Sequence, residues 1–310
     1  MNVIDQCVSD SFAIYNADTV EVARGLPDKS VGFSVFSPPF ESLYTYSASP
    51  RDMGNTSDSD GFFSQYDYLV AETARVMMSG RLVAIHCMPL PSSKTRHGVI
   101  GMRDFPGDLI RAYQRHGFVY HSRICIWKDP VTAMQRTKAL GLLHKTIRSD
   151  SSMSRQGFAD DVVVMRAPGD NDEPISHTSE QFPVSMWQRY ASPVWVTTGP
   201  ETHRGFLDCH ADINPTETLQ HRSAREEKDE RHICPLQLEV IRRCVKLWSN
   251  PGDVVWSPFA GIGSEGYVAL QEGRRFVGAE LKSSYYRQAV KNLQSVASPI
   301  QADMFSSVAS

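Results

Sequence analysis

The chain alternates short apolar runs with helical patterns, and this alternation limits the folds open to it. Residues 118–127 alternate polar and apolar side chains and predict an antiparallel strand at an edge. Five other runs are apolar enough to be buried strands: residues 12–17, 31–36, 81–87, 253–257 and 275–280. Helical spacing covers residues 66–80, 105–117, 235–248 and 283–296. Strand–helix alternation predicts an α/β fold around one mostly parallel, twisted sheet.

Composition excludes several classes of protein. A chain of 310 residues can bury a large core without disulfide or metal staples. Its apolar runs are far shorter than the roughly 20 residues of a membrane span, and the N-terminus lacks the apolar core of a secretory signal. The six cysteines form no CxxC pair, and the ten histidines form no ligand cluster. We therefore expect a cytoplasmic protein without a membrane segment or a metal site.

The central part of the chain differs from both ends. Residues 131–231 are polar and only weakly periodic, which predicts an inserted recognition region. Residues 94–166 contain thirteen Lys and Arg against six Asp and Glu, a net charge of +7. The rest of the chain then carries −10, because the total is −3. This basic stretch is either an electrostatic footprint for phosphate or a solvated face.

The strongest motif is a glycine loop within residues 253–280. A buried strand leads into Gly261, Gly263 and Gly266, and a helix and a second strand then lead to Glu280. Glycines let a ligand approach the backbone closely, and the start of the helix favours an anionic group. An acid at the end of the next strand can accept the protons of both ribose hydroxyls. The order of these parts predicts a site for a nucleoside cofactor.

Two cofactors fit such a loop. GIGSEG matches the GxGxxG pattern of dinucleotide sites. Only 30 residues follow Glu280, however, which is too few for the remaining strands of a sequential dinucleotide fold. S-adenosylmethionine (SAM) also carries a ribose and a carboxylate and needs no second nucleotide half. We therefore favour SAM.

A second motif, Ser37-Pro38-Pro39-Phe40, follows the apolar run 31–36. The two prolines fix the backbone and leave it rich in carbonyl acceptors. The Ser37 hydroxyl and the Pro38 carbonyl can hold the hydrogens of an exocyclic amine, and Phe40 offers a face on which a base can stack. Acceptors that pull on both N–H bonds favour a pyramidal nitrogen whose lone pair can attack a methyl group. Taken alone, these four residues also fit a simple strand-ending turn.

Together the two motifs resemble the SAM-dependent DNA amino-methyltransferases, which modify N4 of cytosine or N6 of adenine. The catalytic turn precedes the cofactor loop by more than 200 residues, which resembles the permuted β class of this family. The likeness covers about two-thirds of the chain, and residues 138–158 resemble members carried by bacteriophages. It implies a Rossmann-like class I methyltransferase fold, with a mostly parallel seven-stranded sheet, one antiparallel strand and an inserted target-recognition region.

The resemblance also implies a set of site residues. The catalytic turn is Ser37, Pro38, Pro39 and Phe40. The cofactor residues are Asp18 near the adenine, His232 and Pro235 beside the methionine portion, Ser257, Phe259, Gly261, Gly263 and Ser264 in the loop, and Glu280 at the ribose. The functional regions are a catalytic half at 1–130, a target-recognition region at 131–231 and a SAM-binding half at 232–310.

Three departures from the family pattern bear on function. Ser257 stands where the family usually has Asp, so the hydrogen bond to the methionine amino group is expected to be weaker or rearranged. Ser264 and Glu265 stand where threonines are frequent. Ser37 begins a turn that starts with Asp or Asn in many adenine enzymes, and serine there is commoner among N4-cytosine enzymes. This residue favours cytosine, with adenine N6 as the alternative.

A duplex hides the target amine, so the base is expected to be flipped into the pocket. Residues 41–60 are polar and predict a mobile lid. The basic residues expected to contact DNA are Lys128, Arg136, Lys138, Lys145, Arg148 and Arg155. Arg148 and Arg155 flank Asp150 and could form ion pairs with it instead.

Other functions remain open at this stage. A nicotinamide-dependent oxidoreductase would use GIGSEG as its phosphate loop, although the sequence offers no evident proton relay. A nucleic-acid-binding module with an inactive catalytic core would explain Ser257 and the basic stretch. RNA is a further possible acceptor. The sequence leaves open whether the protein is a monomer or a homodimer, and whether its host cell is bacterial or phage-infected.

Overall fold

A computed structural model describes residues 3–40, 52–56, 58–92, 94–137, 140–198, 211–220 and 235–297. The chain divides into two compact units, residues 1–78 with 218–310 and residues 79–217. The borders of these two compact units differ from those of the three functional regions predicted from the sequence. The units describe which residues pack together, whereas the functional regions describe predicted roles and stay a prediction. Within the described residues, no helix is both long and apolar enough to cross a membrane.

The first unit is a sheet with helices packed against it. Its strands are β1 (Val3–Val8), β2 (Phe12–Ala17), β3 (Val31–Phe36), β11 (Val254–Ser257) and β12 (Arg275–Ala279). Its helices are α1 (Thr19–Gly25), α2 (Ser59–Val76), α8 (Leu238–Trp248), α9 (Ser264–Gln271) and α10 (Ser283–Ala297). The strands lie in the order β1-β2-β12-β11-β3. The edge strand β1 is antiparallel to β2, and the other three pairs are parallel.

The second unit has its own strands and helices. Strand β4 (Met77–Cys87) leads into it, and β5 (Leu90–Ser92), β6 (Gly101–Arg103), β7 (Val119–Trp127), β8 (Asp160–Arg166), β9 (Val194–Thr197) and β10 (Ala211–Ile213) follow. The helices are α3 (Lys94–His97), α4 (Phe105–Arg115), α5 (Pro130–Thr137), α6 (His144–Ser149) and α7 (Val184–Tyr190). Strand β8 is antiparallel to both β4 and β7, whereas β7–β9 and β9–β10 are parallel.

The core of the first unit follows from its sequence. All six residues of β3 are buried, because helices cover both faces of a strand in a parallel sheet. Helix α8 buries Leu238, Val240, Ile241 and Val245, which repeat at helical spacing. The ring of Trp248, at the carboxyl end of α8, lies 6.1 Å from that of Phe33 in β3. The helix therefore ends near the start of the sheet and begins near the carboxyl ends of its strands.

The α/β class and the mostly parallel sheet are confirmed, but some elements differ from the sequence predictions. The helix expected over 66–80 ends at Val76, and β4 begins at Met77. Strand β7 lies between β8 and β9 rather than at an edge. The weakly periodic region 131–231 contains β8, whose apolar residues are fully buried. The resemblance implies seven strands. The described residues form more than that, with five strands in the first unit and β4 to β10 in or leading into the second.

Candidate functional site

Four parallel strands of the first unit end side by side, and predicted site residues lie at all four of those ends. Val254–Ser257 of β11 pair with Arg275–Gly278 of β12, which in turn pairs with β2. On its other side β11 pairs with β3 through Val255–Phe33 and Trp256–Ser34. Because these strands run in the same direction, their carboxyl ends share one edge of the sheet. The segments after β3, β11 and β12 therefore leave the sheet at neighbouring points.

The strand that leads into the predicted catalytic turn contacts both β11 and the glycine loop at this edge. Ser34 donates a hydrogen bond from its hydroxyl to the carbonyl of Trp256 (2.9 Å). Two residues further on, the ring of Phe36 packs at 5.8 Å on the ring of Phe259. Phe36 immediately precedes the Ser37–Phe40 turn, in which Pro38 is buried and the other three residues are half-buried. Segments more than 200 residues apart are thus brought together.

The glycines of the loop serve different purposes. Gly261 and Gly263 have φ of +53° and +85°, in the left-handed region that favours glycine. A Cβ at Gly261 would meet no atom of the described residues within 4 Å, so among them space is open beside this backbone. A Cβ at Gly266 would lie 2.5 Å from the ring of Phe276 and 2.7 Å from Leu293. Gly261 therefore leaves room for a ligand, while Gly266 allows α9 to pack on β12 and α10.

Glu280 links the loop to the end of β12. Its Oε2 accepts the N–H of Gly261 and its Oε1 accepts the N–H of Lys282, both at 2.8 Å. Burial raises the pKa of Glu280 to about 7, the two N–H donors oppose this, and the charge of Asp52 adds to the rise. A carboxyl in this position can accept hydrogen bonds from ribose hydroxyls, as the sequence predicts.

Asn16 fixes the segment that carries Glu280. It is buried, and its amide donates to the carbonyls of Glu280 (2.8 Å) and Leu281 (3.0 Å). Its own Oδ1 accepts the hydroxyl of Ser283 (2.7 Å). The next polar residue, Asp18, caps α1, and its Oδ1 accepts the N–H groups of residues 20 and 21. Its predicted role beside an adenine is not tested by this capping and stays a prediction.

Two polar side chains of the loop are buried without the partners such groups usually have. Ser257 is fully buried, and among the described residues its hydroxyl has no hydrogen-bond partner. Glu265 is 5% exposed. Burial raises the pKa of Glu265 to about 8, and the charge of Glu280 raises it further, although the backbone N–H of Glu265 opposes the shift. A buried acid and an orphaned hydroxyl thus lie on one loop.

Of the two residues expected beside the methionine portion, only Pro235 is described. It is half-buried and lies three residues before the start of α8 at Leu238. His232 lies outside the described residues. So does most of the expected lid, residues 41–51 and 57. Residues 52–56 form a short 3-10 turn in which Asp52 and Met53 are buried, so this piece belongs to the packed part of the unit.

The basic residues of the second unit differ in their surroundings. Lys145 and Arg148 on α6 are exposed. Asp150 accepts the N–H and the hydroxyl of Ser152 and forms no ion pair with either arginine. Arg155 lies 3.8 Å from the centre of the Phe158 ring, and burial lowers its pKa.

Lys128 is in an ion pair with the buried Asp160, which also accepts a hydrogen bond from His86 (2.9 Å). Burial acts to raise the pKa of Asp160, but His86 and Lys128 lower it to about 2. The Lys128 ammonium is therefore already engaged. Lys138 and the side chain of Arg136 lie outside the described residues.

Three residues of this site were missed by sequence reasoning. Asn16, a polar residue near the end of an apolar strand, carried a usable signal, because a buried amide needs partners. Glu265 is the second residue of a helix that follows a glycine loop, where an acid is ordinary as a surface residue. Asp52 gave no signal, since its proximity to Glu280 depends on tertiary structure.

The arrangement fits a nucleoside cofactor with a charged amino-acid portion. Gly261 leaves space against the backbone, and Glu280 presents a carboxyl at its edge. Among the described residues, the buried Ser257 hydroxyl has no hydrogen-bond partner and the buried Glu265 carboxyl has no ion-pair partner. Within the described residues, no group of three or more His, Cys, Asp or Glu side chains could hold a metal ion.

The known proteins to which the chain is similar are DNA methyltransferases. A family model described as DNA methylase (N6_N4_Mtase) matches residues 31–291. The Type II methyltransferase M.Cfr9I of Citrobacter freundii is 43% identical over 291 residues, which cover 91% of this chain and 87% of that protein. A shorter stretch of 69 residues is 39% identical to the DNA adenine methyltransferase YhdJ of Escherichia coli K12, covering 22% of this chain and 23% of that protein.

Solved structures share the fold at low identity. A Thermus thermophilus protein described as a DNA modification methylase, solved with S-adenosyl-L-methionine, has a TM-score of 0.65 and 21% identity, covering 92% of this chain and 93% of its own. The cytosine-N4-specific PvuII DNA methyltransferase has a TM-score of 0.61 and 14% identity, covering 94% and 90%. The class I methyltransferase fold expected from the sequence is thereby confirmed.

Proposed function

The chain belongs to the N6/N4 family of DNA methylases, and from that premise we propose that it transfers a methyl group from SAM to N4 of cytosine in DNA. SAM is the cofactor of this family, and it supplies the electrophilic methyl group. DNA is the substrate, with the target base flipped out of the duplex. The finer assignment, cytosine rather than adenine, rests on Ser37 at the head of the catalytic turn.

One observation carries the proposal: the adjacent parallel strands β3 and β11 release the catalytic turn and the glycine loop at the same edge, with Phe36 packed on Phe259. Methyl transfer between a cofactor and an amine requires both to be held within attacking distance. A turn and a loop anchored to neighbouring strands supply that proximity without further rearrangement. The alternative function, a nicotinamide-dependent oxidoreductase, has no comparable support, because the family to which the chain belongs consists of DNA methylases.

The cofactor is held by residues around the glycine loop. Glu280 accepts the ribose hydroxyls, Gly261 and Gly263 leave room for the ligand, and Ser264 begins the helix whose free N–H groups favour a carboxylate. Asp18 lies toward the adenine, and Phe259 and Pro235 flank the site. His232 and Ser257 complete the cofactor set taken from the family resemblance. These roles are part of the proposal.

The catalytic turn positions the target amine. The Ser37 hydroxyl and the Pro38 carbonyl accept the two N–H bonds, which directs the nitrogen lone pair toward the methyl group. Pro39 keeps the turn rigid, and Phe40 stacks on the base. No covalent bond to the enzyme is needed, so positioning and hydrogen bonding provide the rate enhancement. The positive charge that develops on the amine is stabilised by these two oxygen acceptors.

The same proposal assigns a role to each of three regions of the chain. Residues 1–130 carry the catalytic turn, 131–231 recognise the target sequence, and 232–310 bind SAM. The exposed Lys145 and Arg148 contact DNA phosphates, because most basic contacts to DNA are of that kind. Arg155, Arg136 and Lys138 belong to the same proposed set. Lys128 ranks below them because its ammonium is paired with Asp160.

Mass spectrometry of nucleosides from DNA of cells that express the chain tests this function. We expect N4-methylcytosine with the unaltered protein and loss of most of it with Ser37→Ala or Phe40→Ala. Ser30→Ala is a matched control, since Ser30 precedes the opposite end of β3 and its hydroxyl donates to the carbonyl of Pro27. It removes the same kind of hydroxyl beside the same strand, away from the site.

Each other result has a distinct meaning. N6-methyladenine in place of N4-methylcytosine would transfer the assignment to the alternative base. Methylated nucleosides at full level in both Ser37→Ala and Phe40→Ala, with both variants folded, would contradict the catalytic assignment. Salt-dependent DNA binding without any methylated product would favour the inactive DNA-binding module.

A further inference from the structure

Glu265 is an unusual residue for its position. It is the second residue of α9, directly after the glycine loop, and is 5% exposed. Among the described residues its carboxyl forms no ion pair, and the donor that acts on it is its own backbone N–H. A buried carboxylate without a cationic partner is costly, because water is lost and little replaces it. An exposed Glu265 carboxyl would avoid this cost, so its burial indicates that the carboxyl has a partner that the described residues do not provide.

The charged groups around α9 do not supply the missing partner. The charge that acts on the Glu265 carboxyl is that of Glu280, which has the same sign, and the charge of Asp52 acts in turn on Glu280. On α8, Arg243 is paired with Glu239. The other two bases of α8, Arg242 and Lys246, reach Glu272 at the opposite end of α9. Lys282 lowers the pKa of Glu280 through its charge, but among the described residues no cation acts on Glu265 in the same way.

Ser257 provides the second, independent observation. Its hydroxyl is fully buried at the end of β11 and has no partner among the described residues, although buried polar groups are normally hydrogen-bonded. A neutral hydroxyl can donate one hydrogen bond and accept others, but it cannot balance a positive charge. An unsatisfied hydroxyl and an unpaired carboxyl on one loop together indicate a bound group that donates hydrogen bonds and carries positive charge.

SAM carries two positive charges, on its sulfonium and on its α-ammonium. Of these two charged groups, only the ammonium has N–H donors, and a carboxylate is a strong acceptor for such a group. We propose that Glu265 binds the α-ammonium of the cofactor's amino-acid portion and supplies there the negative charge that Ser257 lacks. This inference rests on the cofactor site proposed above.

Two ligands separate the amino-acid end from the nucleoside end. S-adenosylhomocysteine has the adenosine, the ammonium and the carboxylate, while 5′-methylthioadenosine has the adenosine without either charged group. Neither transfers a methyl group, so calorimetry on the full chain measures binding alone. Glu265→Gln preserves the shape of the side chain and removes its charge. Glu280→Gln makes the same chemical change at the ribose.

We expect Glu265→Gln to weaken S-adenosylhomocysteine binding by about tenfold or more, as loss of a charged hydrogen bond implies. Its affinity for 5′-methylthioadenosine should stay unchanged, whereas Glu280→Gln should weaken both ligands. If Glu265→Gln altered neither affinity, or lowered both equally, while Glu280→Gln weakened both, the role of Glu265 would be refuted and the site would stand. If Glu280→Gln also altered neither, the cofactor site itself would be wrong.

Proton release gives a readout that does not depend on affinity. Burial keeps Glu265 largely protonated at pH 7, since it raises the pKa of this carboxyl to about 8. Pairing with an ammonium requires the ionised form, so the proton must leave on binding. Calorimetry in buffers of different ionisation enthalpy should detect more proton release for the unaltered chain than for Glu265→Gln with S-adenosylhomocysteine. Equal release in both would overturn the proposal.

Discussion

At the scale of single residues, two glutamates set the electrostatics of the site: Glu265 directly after the glycine loop and Glu280 at the end of β12. Burial is the largest cause of the raised pKa of both Glu265 and Glu280. Glu280 is compensated by two backbone N–H donors, whereas Glu265 has only its own. In the absence of ligand, the ionised form of Glu265 is therefore less well compensated than that of Glu280 at neutral and alkaline pH.

Substitution of Glu265 by Gln should stabilise the ligand-free protein, with a gain that grows with pH. The folded chain keeps a proton on Glu265 up to about pH 8, while the unfolded chain releases it near the ordinary value of 4.5. The unfolding free energy of the unaltered chain therefore falls as pH rises through this window. Between pH 5 and pH 8 the difference should grow by about 3 kcal/mol. Urea unfolding at the two pH values measures it.

Glu173→Gln is the control for this measurement, because Glu173 is exposed and its loss removes the same carboxyl without burial. Its effect on unfolding should be small at both pH values. A difference between Glu265→Gln and the unaltered chain that is the same at pH 5 and pH 8 would mean that Glu265 is ionised in the folded protein at both.

At the scale of elements, two glycines of one loop should respond differently to the same substitution. Gly266→Ala forces a methyl group to within 2.5 Å of the Phe276 ring, so α9 must move away from β12. Overpacking of this kind costs about 1–3 kcal/mol of unfolding free energy. Gly261→Ala meets no atom and costs about 1–2 kcal/mol through its positive φ, but it fills the open space beside the loop.

We therefore expect Gly266→Ala to act mainly on stability and Gly261→Ala to act on ligand affinity as well. Urea unfolding and S-adenosylhomocysteine calorimetry, done at a temperature where both variants are folded, separate the two effects. Gly252→Ala is a control for positive φ, since its Cβ also meets nothing and it lies in the turn before β11. Unchanged affinity in Gly261→Ala would show that the open space is not occupied by ligand.

Sequence patterns predict these elements where the local signal is strong. The buried strands 12–17 and 31–36 are found with the predicted bounds, because apolar runs flanked by turn residues have few alternatives. The switch from α2 to β4 between Val76 and Met77 was missed, since Met-Met-Ser continues a helical pattern and carries no breaker. Strand β8 was also missed, because its central position depends on pairing with β4 and β7.

The same division holds for the site. The motifs identify the two loops, and strand order explains why they meet, although adjacency of β3 and β11 cannot be read from segments 222 residues apart. The contacts of Asn16 and Asp52 depend on packing and have no local signature. Sequence therefore predicts which loops bear the chemistry, and tertiary structure adds the side chains that support them.

At the scale of the whole molecule, the sign of the net charge differs from the sign of the charge in the central stretch. The chain carries −3 overall, yet residues 94–166 carry thirteen basic side chains against six acidic ones. Ion pairs within this stretch leave its net charge at +7 but occupy some of its bases: Lys128 is paired with Asp160, and Arg123 donates two hydrogen bonds to Asp161 at 2.7–2.8 Å. Fewer bases are therefore available to an outside partner than the thirteen counted, and Lys145 and Arg148 of α6 are exposed bases of this kind.

The salt dependence of DNA binding should report that remaining charge. Each base that neutralises a phosphate contributes about 0.9 to the slope of log affinity against log salt. Lys145→Ala and Arg148→Ala should each lower the slope by about that amount, since both side chains are exposed. Lys128→Ala should leave it unchanged, because its ammonium is engaged by the buried Asp160. Fluorescence anisotropy with a labelled duplex over a salt series measures these slopes, and an equal loss in all three variants would mean that Lys128 leaves Asp160 to bind DNA.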